Sequence, residues 1–242
     1  MRIVTWNIWF GEFERERRRK ALWAELAARN PDILCLQEVT PDDLASPELQ
    51  ALQARGYWQS DEHISSYDVL LLSRIPVRSH ERIPLPSVMG RELLVVRLAT
   101  TPPLTIATVH LESTASMTAF RCRQLADIHA HLAKEDDVLL VGDMNFPAGD
   151  RPEAAQLPGW RDAWAQLHPR DPGYTVDSRA NLMRALMKPD NKQARIDRVF
   201  HRGSRWQLGA ISRTGTTHLA GDPTLFISDH FGLQVDVSPT AG

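Results

Sequence analysis

Six short polar clusters, each inside or just beyond an apolar run, are the parts of this 242-residue chain that could do chemistry. They are Trp6-Asn7, Gln37-Glu38, His110-Leu111-Glu112, Gly142-Asp143-Met144-Asn145, Asp197 and Ser228-Asp229-His230. A run such as Val138-Leu139-Leu140-Val141 must be buried in a sheet, and a carboxylate or amide buried beside it unpaired would cost roughly 2 to 7 kcal/mol. A shared site is the economical reason for placing so many polar groups there. The chemistry open to these residue types is metal-assisted cleavage of a phosphoester. That reaction needs charge on the non-bridging oxygens neutralised, a water deprotonated and a departing oxygen stabilised. A hard cation such as Mg²⁺, held by few protein ligands, supplies the first and third, with Mn²⁺ as the alternative ion. Glu38 offers the carboxylate and Asn7 an amide oxygen. Asp143 and Asn145, two residues apart at one strand end, share a face and supply a base and an orienting amide. Asp229-His230 adds a carboxylate and an imidazole that can donate to a developing phosphorane oxygen once a neighbour fixes its tautomer. No nucleophile elbow, Gly-rich phosphate loop or Cys/His zinc spacing competes.

The elements that must position these groups alternate from end to end. After a first strand through Trp6, the stripe Ala21, Leu22, Trp23 and Leu26 predicts an amphipathic helix over Glu14 to Arg29, whose dense charges then form a solvated face. Ile33 to Gln37 reads as a strand, followed at Pro41 by a short helix through Asp42 to Ala54. Val69 to Leu72, Leu93 to Leu98 and Leu104 to Val109, punctuated by Pro and Gly, predict neighbouring antiparallel strands. Met117 to Ala133 reads as a helix and Val138 to Val141 as a buried strand. From Asp143 to about Gly173 five prolines leave only a short helix around Arg161 to Leu167. Strands over Ile196 to Phe200 and Gly232 to Val237 close the chain. No repeat or linker divides it, so one domain over 1–242 is expected.

Composition is that of ordinary globular material, with 43% apolar and 24% charged residues. A net charge of −2 gives no overall basic field for non-specific nucleic-acid binding. Of 28 basic residues 24 are Arg, which suits bidentate phosphate contacts although genomic composition has the same effect. The two cysteines, Cys35 in an apolar run and Cys122 in a helical pattern, make no disulfide framework. No cleavable apolar leader and no membrane-length run is present, so the expected location is the cytoplasm, with no membrane association and no obligate protein partner.

Thr5-Trp6-Asn7-Ile8, Leu36-Gln37-Glu38-Val39, Gly142-Asp143-Met144-Asn145, Ile196-Asp197-Arg198-Val199 and Ser228-Asp229-His230-Phe231-Gly232-Leu233 resemble, in order, the motifs of the endonuclease/exonuclease/phosphatase superfamily. Met89-Gly90-Arg91-Glu92-Leu93-Leu94, Val109-His110-Leu111-Glu112-Ser113-Thr114 and Tyr174-Thr175-Val176-Asp177 are similar to its tyrosyl-DNA phosphodiesterase 2 group, which removes a trapped topoisomerase tyrosine from a DNA 5′ phosphate. The resemblance implies a DNase I-like α/β fold, a two-sheet β-sandwich flanked by helices in four α/β/β/α layers. It implies that Glu38, with Asn7 nearby, binds Mg²⁺ and that Asp229 joins the metal site or supports the histidine. Asp143 would orient or deprotonate the attacking water, Asn145 would hold phosphate and water in line, and His110 and His230 would contact the scissile phosphate. Asp197 and Ser228 would stand behind these groups. Two departures bear on substrate contact. Val176 stands where that group usually has Trp, and Phe146-Pro147 follows the Asp-x-Asn motif where it often has Arg.

Candidate substrate contacts are Tyr67, Arg91, Ser113, Tyr174, Arg195 and Phe226, the aromatic faces being able to stack on an unpaired base. Arg179 to Arg213 holds nine basic residues against Asp190 and Asp197, a stretch that could track a nucleic-acid backbone or be solvated surface. Individual site residues also have plainer readings: Asn7 could cap a turn, Glu112 could pair with a surface Arg, and Asp197 could sit in an exposed salt bridge. The reading that follows is a Mg²⁺-dependent phosphodiesterase acting on nucleic-acid ends, DNA with single-stranded character and a 5′-phosphotyrosyl group foremost. The alternatives are a general endo- or exonuclease, a phosphatase or phosphodiesterase for lipid or small phosphoesters, and a silent binding module that keeps the fold. The last would normally have lost Glu38 or Asp143.

Overall fold

The computed structural model describes residues 1–240, so the last two residues of the expected domain lie outside the described residues. In chain order the elements are β1 (Arg2–Asn7), α1 (Arg15–Arg29), β2 (Ile33–Val39), α2 (Pro41–Leu44), α3 (Pro47–Ala54), β3 (Trp58–Gln59), β4 (Asp68–Ser73), β5 (Val77–Pro84), β6 (Glu92–Leu98), β7 (Leu104–His110), α4 (Thr118–Leu132), β8 (Val138–Asp143), β9 (Arg161–Asp162), α5 (Ala163–Leu167), β10 (Val176–Asp177), α6 (Leu182–Met187), β11 (Gln193–Ala194), β12 (Asp197–Arg202), β13 (Trp206–Thr214) and β14 (Gly232–Pro239). Two six-stranded sheets, ordered β13-β14-β1-β2-β4-β3 and β5-β6-β7-β8-β12-β9, pack face to face.

The alternation of side chains along the strands explains the layering. Ile3, Ile33, Cys35, Val69 and Leu71 meet Leu94, Val96, Ile106, Leu139 and Val141 between the sheets. The intervening Val4, Trp6, Leu34, Leu36 and Leu70 face outward under Leu22, Trp23 and Leu26 of α1 and Leu49 of α3. On the far side Val95, Val109 and Leu140 lie under Leu125, Ile128 and Leu132 of α4. Strands covered on both faces must be apolar at nearly every position, which is why they read as unbroken runs. The result is the expected α/β/β/α sandwich.

Several elements differ from the sequence reading. The segment Asp42 to Ala54 breaks into α2 and α3, because Ser46 accepts the Leu49 N–H as an N-cap and Pro47 starts a fresh helix. β4 is not a neighbour of β6 and β7; it pairs with β2 in the other sheet, and β5 takes the place beside β6. β5 and β13 escape a pattern search because they are sheet-edge strands with polar or small residues at many positions.

The topology gathers the polar clusters at one edge. β1 and β2 are parallel with Asn7 opposite Gln37, and β7 and β8 are parallel with His110 opposite Asp143, so four strands end together. β12 runs antiparallel to β8 and begins there, with Asp197 opposite Asp143, while β14 begins just after His230. Gly142 permits the close approach of β7 and β8: its φ is +130°, and a Cβ there would meet the Val109 carbonyl oxygen at 2.0 Å.

Candidate active site

At that edge Glu38, His110, Asp143, Asn145, Asp229 and His230 line a cleft of about 230 Å³. Asn7 bridges two of its acids, Nδ2 donating to Glu38 Oε1 and to Asp143 Oδ2, each at 3.0 Å. Its Oδ1 accepts the Trp9 N–H at 3.0 Å, so Asn7 both donates between two carboxylates and caps a turn. The second Glu38 oxygen takes the Phe10 N–H at 3.0 Å. Asp143 Oδ1 accepts the Asn145 N–H at 2.9 Å, and Asn145 is itself tied to the Leu111 carbonyl. Both Glu38 and Asn145 hold left-handed backbone, at φ +62° and +53°. Asn adopts that conformation readily, but it is uncommon for Glu, and such strain clusters at functional sites.

The histidines are held in opposite states. His230 Nδ1 lies 2.9 Å from Asp197 Oδ2. Burial opposes its charge, but Asp197 and Asp229 outweigh that and push the imidazolium up to about 10. Burial and the neighbouring Arg91 and His230 charges instead hold His110 well below the usual imidazole range, so it is neutral at pH 7. Burial and the Asp197 charge push the Asp143 carboxyl up to about 6, against the pull of His230 and the hydrogen bond from Asn7. Asp197 is fully buried rather than an exposed salt bridge, and its Oδ1 has no hydrogen-bond partner among the described residues. Ser228 joins the edges of the site, donating to the Asn7 carbonyl at 2.7 Å and accepting the His230 N–H at 3.1 Å.

One group among the described residues has its ligand atoms close enough together to receive a cation, and two further acids line the cleft. Asp143, Asp197 and His230 form one buried group with ligand atoms within 4.8 Å of one another. Much of its donor capacity is already committed to the Asp197–His230 pair. Glu38 and Asp229 offer carboxylates along the cleft itself. These donors are oxygen-rich and without thiolate, which fits a hard divalent ion, and the unpartnered Asp197 oxygen is the kind of buried acceptor that such a site satisfies.

Of the substrate-contact candidates, the structure brings Arg91 and Ser113 to the site and places Tyr67 at its rim, stacked on Phe10 with ring centroids 4.6 Å apart. It does not bring the other three. Phe226 is core, packed with Met183, Leu225 and Phe231. Tyr174 lines a different cleft, together with Gln193 and Ala194. Arg195 is buried and directs Nη1 to Asp162 Oδ1 at 2.7 Å, while Arg198 Nε donates to Oδ2 of the same carboxylate at 2.7 Å. Within the basic stretch Arg184 pairs with Asp190, Arg205 with Asp136 and Asp137, and Arg202 and Arg213 donate to carbonyls. Most of that positive charge is therefore engaged inside the chain. Lys188, which nothing in its local sequence singles out, lies in the cleft with Nζ 2.7 Å from Asp229 Oδ2.

The Asp162 cluster has a measurable consequence. Burial opposes its ionisation, yet Arg198 and Arg195 hold its carboxyl below the usual range. Asp162→Asn should cost about 3–5 kcal/mol, because two buried guanidinium groups lose their counterion. A depressed pKa gives stability present above the unfolded-state value and lost as pH falls through the folded one. The gap between the urea midpoints of wild type and variant should thus be wide at pH 7 and narrow in acid. Equal midpoints at pH 7 would sink the assignment.

A fold of this topology with this acid, amide and imidazole edge defines a class, and the model of the Endonuclease/Exonuclease/phosphatase family matches residues 4–230. The chain belongs to that family. Among its curated relatives is tyrosyl-DNA phosphodiesterase 2, 31% identical in Mus musculus over 96% of this chain and 64% of that protein, and 29% identical in Homo sapiens over 96% and 66%. The chain thus spans about two thirds of the length of these relatives. The crystal structure of Danio rerio TDP2 complexed with single strand DNA product superposes with a TM-score of 0.84, at 25% identity and over 98% of both chains. Among the described residues no helix is long and apolar enough to cross a membrane.

Proposed function

We propose that the chain is a Mg²⁺-dependent phosphodiesterase acting at nucleic-acid ends, with 5′-phosphotyrosyl DNA of single-stranded character as its substrate. The observation that carries this reading is the convergence of Glu38, Asp143, Asn145, Asp229 and two histidines in one cleft of a chain so similar to tyrosyl-DNA phosphodiesterase 2. Reaction is a single in-line attack of water on phosphorus, with tyrosine leaving as the opposite bond breaks. Asp143 takes the proton of that water, and a carboxyl pushed to about 6 is better matched to a base at neutral pH than an ordinary one. Asn145 orients water and phosphate. His230, held charged by Asp197, donates to a non-bridging oxygen. Glu38 and Asp229 would hold the ion, which when bound supplies charge neutralisation at phosphate and leaving oxygen.

The deciding assay compares single-stranded DNA bearing 5′-phosphotyrosine with plain and abasic duplex DNA, with and without Mg²⁺. Metal-dependent tyrosine release is the expected result. Cleavage of the other DNAs alone would make the chain a general or repair nuclease, and inertness toward all of them would direct attention to small phosphoesters. In this reading Lys188 also meets phosphate. Lys188→Ala should raise KM and make its log–log salt dependence shallower by about 0.7, the value for one phosphate contact on a single strand. An unchanged slope would leave Lys188 as a partner of Asp229 only.

A further inference from the structure

We infer that Glu112 is a positioning residue, which acts through Ser87 and the Val88 N–H to fix the loop 85–91 so that Arg91 meets His110 and Ser113 inside the cleft; its kinetic consequences rest on the phosphodiesterase reading above. Glu112 is fully buried rather than paired with a surface Arg. Its Oε2 accepts the Ser87 hydroxyl at 2.6 Å and the Gln124 amide at 3.4 Å, and its Oε1 accepts the Val88 N–H at 3.1 Å. All three donors are neutral. Burying a carboxylate among neutral donors forfeits hydration that they only partly replace, so net stability is a poor explanation of this residue and fixed geometry a better one.

The loop needs such an anchor. Val88 and Met89 at its tip are 63% and 40% exposed, so apolar packing does little to hold them. Ser87 Oγ, fixed by its bond to Glu112, accepts the N–H groups of Met89 and Arg91, each at 3.0 Å, and Leu85 N–H closes the loop on the Arg91 carbonyl at 3.0 Å. Arg91 then leaves the loop in one direction. Its Nη1 donates to His110 Nδ1 at 3.2 Å, its Nη2 donates to Ser113 Oγ at 3.2 Å, and its guanidinium lies 5.4 Å from the Tyr67 ring centroid.

The shorter of the two Arg91 contacts assigns the His110 tautomer. A donor at Nδ1 makes that nitrogen the acceptor, so the ring proton resides on Nε2, 3.4 Å from Asp143 Oδ2. The approach of Arg91 Nη2 to Nε2 at 3.5 Å is not a second hydrogen bond, since a neutral imidazole accepts at one nitrogen only. A chain of contacts thus runs from Glu112 through Ser87, Arg91 and His110 to Asp143.

A double-mutant cycle and a spectrum test this. Glu112→Gln and, as a milder variant that keeps the buried carboxylate, Ser87→Ala should each lower kcat/KM on 5′-phosphotyrosyl single-stranded DNA by about 10 to 100-fold, as loss of an outer-shell partner does. In an Arg91→Ala background the same changes should alter it less than about twofold. Persistence of the full effect without Arg91, or no effect with it, would overturn the inference. Long-range ¹H–¹⁵N spectra, with His110 assigned through His110→Gln, should show the Nε2–H tautomer in wild type and a mixture in Glu112→Gln and Ser87→Ala. If wild type releases no tyrosine, the phosphodiesterase reading fails while the spectrum still decides the role of Glu112. An unaltered tautomer in both variants would reject it.

Discussion

Asp143→Asn is expected to lower kcat by about 10²–10⁴-fold, the usual contribution of a positioned acid or base, with KM close to wild type. The substitution keeps the shape of the side chain and removes the atom that receives a proton. Asp143 Oδ1 takes the Asn145 N–H and Oδ2 takes the Asn7 amide, so an Asn must set its own NH₂ against one of these donors. That mismatch costs about 1 kcal/mol. The opposing gain is the removal of a charge that burial and Asp197 both disfavour. The thermal midpoint should accordingly stay within a few degrees, and circular dichroism should be unchanged. Turnover within tenfold of wild type at saturating Mg²⁺ would exclude Asp143 as the base. A collapse of kcat/KM carried wholly by KM would instead make Asp143 a binding group.

The fold was legible where burial dictates sequence and illegible where it does not. β1, β2, β4, β6, β7 and β8 are covered on both faces, and that condition leaves an apolar run that no helix period imitates. β5 and β13 have one neighbour each, so polar residues are tolerated along them and the run dissolves. Strand partners were less legible than strands. β4 follows β2 in space although α2, α3 and β3 intervene, and nothing in the Val69 to Leu72 pattern says which sheet receives it.

The site divides in the same way. Glu38, Asp143, Asn145, Asp229 and His230 sit at strand ends, and there a polar residue after an apolar run is an anomaly that a reader can notice. Parallel pairing of β1 with β2 and of β7 with β8 then carries these residues to one edge. Arg195 and Phe226 misled because residue type says nothing of side-chain engagement; Asp162 claims the first and the Met183 cluster the second. Ser87 escaped, and Lys188 was legible only as one of the nine basic residues from Arg179 to Arg213, for the opposite reason. Each lies in a loop without periodicity, and its importance comes from an acid, Asp229 or Glu112, distant in sequence.

Glu38→Ala is expected to abolish metal-dependent turnover, by roughly 10³-fold, which corresponds to several kcal/mol of transition-state stabilisation. Stability should fall by only about 1–3 kcal/mol, the loss of the hydrogen bonds that Glu38 accepts from Asn7 Nδ2 and the Phe10 N–H, because the backbone strain is unchanged. Glu38 occupies the left-handed region at φ +62°, where the β2–β4 register shifts between Leu36 and Val39. The steric cost of that conformation comes from Cβ, which Ala retains, so the substitution removes the carboxylate without altering the strain. Glu38→Gly goes further, relieving roughly 1–2 kcal/mol of left-handed cost against roughly 0.4–1 kcal/mol lost to a more flexible unfolded chain. Its melting midpoint should match or exceed that of Glu38→Ala while activity stays absent. Such an exchange would mean that the strand end is held strained in order to aim a carboxylate into the cleft. The direct readout is metal binding: Mn²⁺ titrated by electron paramagnetic resonance should bind wild type and bind both variants far more weakly. Undiminished Mn²⁺ affinity in Glu38→Ala would place the ion elsewhere, with Asp143, Asp197 and His230 the group among the described residues whose ligand atoms lie together. Loss of affinity in both variants, together with a midpoint in Glu38→Gly above that of Glu38→Ala, would tie the strain and the ion to the same residue.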